Sequence, residues 1–143
     1  MMAVILDTDV LTLLQEDSSP DSPRIRGRLQ QIPDFEVFTT VVSIQEQLQG
    51  RFAAINHPRD DHHLLESFQG LLKVLGRFAS LNVLPFETNA LHCFQDLRRQ
   101  RIRIGTNDLR IAAIALTRGV KVVTRNTRDF EQVPGLLIED WTV

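Results

Sequence analysis

Val4-Ile5-Leu6-Asp7-Thr8-Asp9-Val10 is the stretch from which the fold is read. Three uninterrupted apolar residues stop at an acid, and Val10, Leu11, Leu13 and Leu14 then recur at helical spacing. A short continuous apolar run reads as a strand buried on both faces, the habit of parallel sheets. The same alternation runs outward along the chain. Further strands are predicted at Glu36 to Thr40, Leu81 to Pro85, Val120 to Thr124 and Leu136 to Ile138. Between them the pattern predicts helices at Ile25 to Ile32, from Ser43 to about Ile55, Leu64 to Phe78, Thr88 to about Gln100, and Asp108 to Arg118, the last closed by Gly119. The polar stretches Glu16 to Pro23 and Asn56 to Asp61 read as loops inside one domain. Strands alternating with helices give an α/β class with a mainly parallel central sheet flanked by helices. No internal repeat or low-complexity segment is present.

The composition narrows the function classes. A length of 143 residues suits a single domain, 1–143. With 43% hydrophobic and 24% charged residues, the chain is neither disordered nor collagen-like. No apolar run approaches the ~18 residues that cross a bilayer. Met1 to Asp7 lacks the basic flank of a signal peptide. Cys93 is the only cysteine, so no intrachain disulfide framework exists and a cytoplasmic location is expected. The net charge of −2 is no polycation's. Of the 16 basic residues, however, only Lys73 and Lys121 are lysine. Arginine offers a planar fork for phosphate and stacks on bases, although such a bias also arises from genome composition.

In open parallel sheets the working site lies beyond the carboxyl ends of the strands. Those ends carry Asp7-Thr8-Asp9 after the first strand, Thr39-Thr40 then Ser43 and Glu46 after the second, and Thr124, Asn126 and Asp129 after the fourth. Each acid has an ordinary explanation. Asp7 can cap the helix that follows it. Ser43 and Glu46 form the S-x-x-E pattern of a capping box. Asn126 and Asp129 can be a cap and a first-turn acid. Asp108 fits such an explanation least well. Ile111, Ala112, Ala115 and Leu116 follow it at steps of three, four, seven and eight, so it points along the apolar stripe of its helix. The helix dipole offers ~0.3–1 kcal/mol there. Burying a lone carboxylate costs several kcal/mol, so the dipole does not offset it. Taken together, Asp7, Glu46, Asp108 and Asp129 converge if the sheet is parallel, and their repulsion calls for a bound cation. All-oxygen ligands point to Mg²⁺, or Mn²⁺, rather than zinc. Such a centre suits phosphodiester hydrolysis.

These residues resemble a known family. The pattern comprises Leu6-Asp7-Thr8-Asp9-Val10, Glu46 near a helix start, Asn107-Asp108-Leu109-Arg110-Ile111-Ala112-Ala113, and Thr124-Arg125-Asn126-Thr127-Arg128-Asp129-Phe130. It closes with Val133-Pro134-Gly135-Leu136 and Glu139-Asp140-Trp141. In order and spacing this is similar to PIN-domain ribonucleases of the VapC toxin type, over about Val4 to Trp141. The resemblance implies a Mg²⁺-dependent endoribonuclease that cuts structured RNA, pairs with a cognate antitoxin and forms a homodimer. Position by position it implies Asp7 and Asp108 as metal ligands. Glu46 would complete the acidic cluster, Thr124 and Asn126 would support it, and Asp129 would fill the fourth acidic place. Many members have an acid where this chain has Asn126, and Asp9 replaces a more usual Asn.

Two alternatives accompany this reading. A catalytically weak PIN domain that only binds RNA or a partner is kept open by Asn126. Asp7-Thr8-Asp9-Val10 also resembles the nucleophile loop of haloacid-dehalogenase phosphatases, which would need a well-placed lysine. His57, His62 and His63 read as a solvated break rather than a zinc site, and Cys93 as a small core residue. Arg98, Arg99, Arg101 and Arg103, with Arg125 and Arg128, read either as solvated positions or as a phosphate-binding rim. Apolar residues around Leu48, Phe52, Leu64, Leu65 and Phe68 are candidates for surface beyond the core, available to a dimer or an antitoxin segment.

Overall fold

The apolar run Val4–Leu6 forms β1, and it is paired on both sides, in parallel, with β2 (Val37–Thr40) and β4 (Lys121–Val123). The computed structural model describes residues 3–17 and 19–143. Met1 and Met2 of the expected domain, and Ser18 of the expected Glu16 to Pro23 loop, lie outside the described residues. The chain runs β1, α1 (Thr8–Glu16), α2 (Ser22–Leu29), β2, α3 (Val41–Asn56), α4 (Asp61–Ala79), β3 (Asn82–Leu84), α5 (Thr88–Arg99), α6 (Thr106–Arg118), β4, α7 (Thr127–Phe130) and β5 (Ile138–Glu139). All strand pairings are parallel, in the order β3-β2-β1-β4-β5. This is the expected α/β fold with a parallel sheet flanked by helices.

The alternating direction of strand side chains explains why the apolar runs are unbroken. Ala3 and Ile5 face the cluster built by α5, α6 and Val122. Val4 and Leu6 face the opposite cluster, with Val10, Ile25, Val123 and Trp141. A third cluster of Leu11, Val74 and Phe78 joins α4 to α1. Helix α6 is the central helix: Leu109 and Ile111 to Ala115 are all buried.

Several boundaries differ from expectation for local reasons. Residues Asp34–Glu36 form a 3-10 turn, so β2 begins at Val37 rather than Glu36. Helix α3 begins at Val41, not Ser43, because Thr40 caps it by accepting a hydrogen bond from the Ser43 N–H at 3.2 Å. Helices α2 and α4 begin three residues earlier than their apolar spacing predicts. Asp60 caps α4 by accepting from the His63 N–H at 2.7 Å. Near the end, the Leu136 N–H bonds back to Val133 and Gly135 takes a φ of 79°, which delays β5 to Ile138–Glu139. Helix α7, only four residues long, carries no readable periodicity. Among the described residues no helix is long and apolar enough to cross a membrane.

Candidate metal centre

The strand order reverses between β1 and β4, and such a switch point is where the carboxyl ends of an open parallel sheet ordinarily form a site. The register pairs Leu6 with Val123 and Ile5 with Phe38, so Asp7, Thr124 and Thr40 fall in one row across the sheet edge. Asp7 is both the helix cap and a buried acid. Its Oδ1 accepts from the Val10 N–H at 2.9 Å, and the residue is only 4% exposed. Burial pushes its carboxyl up from 3.8 to about 6; hydrogen bonds from Thr124 and Val10 oppose this, and the charges of Asp9 and Asp108 add to it.

Asp108 stands in the first turn of α6, half-buried rather than fully inside the apolar stripe. Burial raises its carboxyl pKa, repulsion from Glu46 and then Asp129 raises it further, and a hydrogen bond from Asn126 opposes the shift. Asp108 therefore lies within electrostatic reach of Asp7, Glu46 and Asp129.

Their supports are specific. Thr8 Oγ1 donates to Glu46 Oε1 at 2.6 Å and lies 2.8 Å from Ser43 Oγ. A hydroxyl has one proton, so Ser43 is the donor to Thr8. The capping-box expectation for Ser43 and Glu46 is thus corrected: Thr40 holds the cap, and Glu46 is turned into the site. Asn126 does not cap α7 by its side chain. Its Nδ2 instead donates to Asp129 Oδ2 at 2.9 Å and, at 3.5 Å, to Asp108 Oδ2. Thr124, fully buried, hydrogen-bonds Asp7 and accepts from the Asn126 N–H at 2.8 Å. Between them lies Arg125, which meets Asp9 through two nitrogens at 2.9 and 3.2 Å and Asp21 at 3.4 Å. Arg125 is therefore committed to a carboxylate pair and is not part of a phosphate rim, and Asp9 carries a partner for its charge. The consecutive residues Thr124, Arg125 and Asn126 tie down five acids. Thr8 and the Arg125 pairing were not foreseen. Only the position of Arg125 beside Thr124 hinted at the latter.

The donors fit a hard divalent cation. They are all oxygen, and no lysine, arginine or histidine is among the groups acting on Asp7 or Asp108. Among the described residues no three His, Cys, Asp or Glu side chains are gathered tightly enough to hold a metal unaided. That departs from the expected tight convergence of four acids. It leaves a site of one or two carboxylates with the rest of the shell supplied by water, the arrangement Mg²⁺ ordinarily accepts. The other histidines are elsewhere: His62 pairs with Glu66 at 2.7 Å, and His63 accepts from the Arg59 N–H. Lys121 bonds Glu139 at 2.7 Å and Lys73 is exposed on α4, so the phosphatase alternative lacks its lysine.

Residues 4–136 match the family model described as PIN domain. The chain is 30% identical over 142 residues to the tRNA(fMet)-specific endonuclease VapC of Shigella flexneri, covering 99% of this chain and 100% of that protein. It is 42% identical over 77 residues to the tRNA(fMet)-specific endonuclease VapC of Salmonella typhimurium; that match spans 51% of this chain and 58% of the relative's length. The crystal structure of DNA-bound VapBC from Salmonella typhimurium superposes with a TM-score of 0.76 at 27% identity, covering 99% of each chain.

Proposed function

The chain belongs to the PIN-domain family, and on that premise we propose that it is a divalent-metal-dependent endoribonuclease, the toxin of a VapC-type toxin–antitoxin pair. The whole chain, 1–143, is taken as that one domain, acting in the cytoplasm on structured RNA. Initiator tRNA is the first substrate to test, because two relatives are named for tRNA(fMet). One observation carries the reading: at the switch point the buried Asp7 stands in the row of Thr124, Asn126 Nδ2 bridges Asp108 and Asp129, and Thr8 holds Glu46, with no protein cation among the groups acting on Asp7 or Asp108.

In this reading Asp7 and Asp108 hold Mg²⁺, or Mn²⁺ in its place. When bound, the ion supplies an activated water and offsets charge building on the phosphate. Glu46, fixed by Thr8, and Asp129, fixed by Asn126, would shape the site and orient the attacking water. Thr124 holds the Asp7 carboxylate in place. Asp7→Asn is expected to abolish cleavage of initiator tRNA with an unchanged circular dichroism spectrum. Cleavage at the wild-type rate by that variant overturns the assignment.

The partner reading follows from the surface. Leu65, Phe68, Leu72 and Leu75 are half or more exposed along one face of α4, with Phe52 on α3 also about half exposed. Positions three, seven and ten residues on from Leu65 lie on one side of a helix. Such a face suits an antitoxin segment, or a second copy of the chain in a homodimer. A second functional reading is a catalytically weak binding module, consistent with the absence, among the described residues, of three acids gathered tightly enough to hold a metal. Absence of RNA turnover at saturating Mn²⁺ selects it.

A further inference from the structure

Two clefts of about 480 Å³ each flank Glu46. One holds Asp108 and belongs to the site already described. The other runs between α1, α3 and α4, shares Thr8 and Glu46 with the acid site, and is walled by Arg51 and Arg77, with the exposed Glu16 at the end of α1 also lining it. Both arginines are half-buried, and among the described residues neither makes an ion pair. Arg51 is seated by its surroundings. Its guanidinium lies on Gly70, where a Cβ would come within 2.6 Å of Nη1. The floor is amide: Gln47 Nε2 donates to Thr12 Oγ1 at 3.0 Å and Gln15 Oε1 at 2.9 Å. Gln15 Nε2 and Gln47 Oε1 are left without a protein partner, which ordered water or a polar ligand edge would complete.

We propose that this cleft is an anchoring subsite for the phosphates of the RNA strand flanking the scissile bond, with Arg51 and Arg77 as its contacts. The proposal rests on the acid site being an RNA-cleaving centre. Carboxylates repel a polyanion, so the cations that hold it must lie where the strand runs on past them. This cleft begins at Glu46 and presents two unpaired guanidinium forks, the geometry suited to phosphate.

The test uses Arg51→Gln and Arg77→Gln, which keep polar side chains and remove the charge, with Arg118→Gln at the far end of α6 as a charge-matched control. Binding of an initiator tRNA transcript is measured by anisotropy in the Asp7→Asn background across salt concentrations. Cleavage is measured in the otherwise wild-type protein. Each cleft variant is expected to lower the slope of log K against log salt by about 0.7 and weaken binding about fourfold at 0.15 M salt. KM should rise accordingly with kcat kept. Slopes and affinities equal to those of the Arg118→Gln control overturn the proposal, including when the cleft variants instead weaken capture of a protein partner. A wild-type protein that cleaves no RNA overturns the nuclease reading alone, since the binding arm still decides the cleft.

Discussion

Asp7 is asked to be an anion in a place that disfavours one. The folded chain keeps its proton up to about pH 6, while an unfolded carboxyl releases it near 3.8. Between those values the folded state binds the extra proton, so stability falls as pH rises. Below 3.8 the penalty is absent, and above 6 it is complete. It corresponds to ~3 kcal/mol at neutral pH. Asp7→Asn retains an acceptor for the Val10 N–H and removes the charge. In EDTA at neutral pH this variant is expected to melt several degrees above wild type, the advantage shrinking as pH falls through 6 and vanishing near 3.8. Excess Mg²⁺ should narrow the gap by binding the wild type. Equal melting temperatures in EDTA at every pH refute the burial argument. Thr124→Val acts in the opposite sense. It leaves the Asn126 N–H and the Asp7 carboxylate each short of a partner inside the protein, a loss of ~1–3 kcal/mol. Thr124 lowers the Asp7 pKa, so its removal should move that titration above 6. Carbon-detected NMR titration of Asp7 checks the shift.

At the level of elements, α4 carries a plain stability prediction. Gly76 lies inside this 19-residue helix with nothing within 4 Å of where a Cβ would go. Gly76→Ala removes backbone freedom from the unfolded chain and should stabilise by about 1 kcal/mol in urea denaturation; no gain would mean that the helix is strained there. The elements also show what the sequence discloses. Strand β1 was legible because both faces are buried, which forbids polar interruption of Val4–Leu6; in β4 the buried Val122 and Val123 carry the signal, and Lys121 is tolerated at the strand's start, where its ammonium meets Glu139. The start of α3 was not, because Thr40 and Ser43 are both capping residues and only three-dimensional placement decides which side chain meets which N–H. The site divides the same way. Asp7, Asp108 and Asp129 were legible from their places at strand ends and helix starts. The Thr8–Glu46 and Asp9–Arg125 bonds join residues 38 and 116 positions apart, and no local pattern encodes them.

The molecule as a whole separates its chemistry from its apolar surface. The acids gather at the carboxyl edge of the sheet, whereas Leu65, Phe68, Leu72 and Leu75 lie along the outer face of α4. A face of this kind costs solubility unless something covers it, and its side chains are not needed by the core. Substitution there should leave folding within ~0.5 kcal/mol of wild type while removing anchors worth ~2 kcal/mol or more each in an interface. The double variant Phe68→Glu/Leu72→Glu is therefore expected to cleave RNA as wild type does. Co-expressed with a cognate antitoxin, the variant should fail to retain that partner through affinity purification. If instead the partner is retained and gel filtration shows a dimer reduced to a monomer, α4 is the surface between two copies. If both associations survive, the exposed apolar stripe is not an interface.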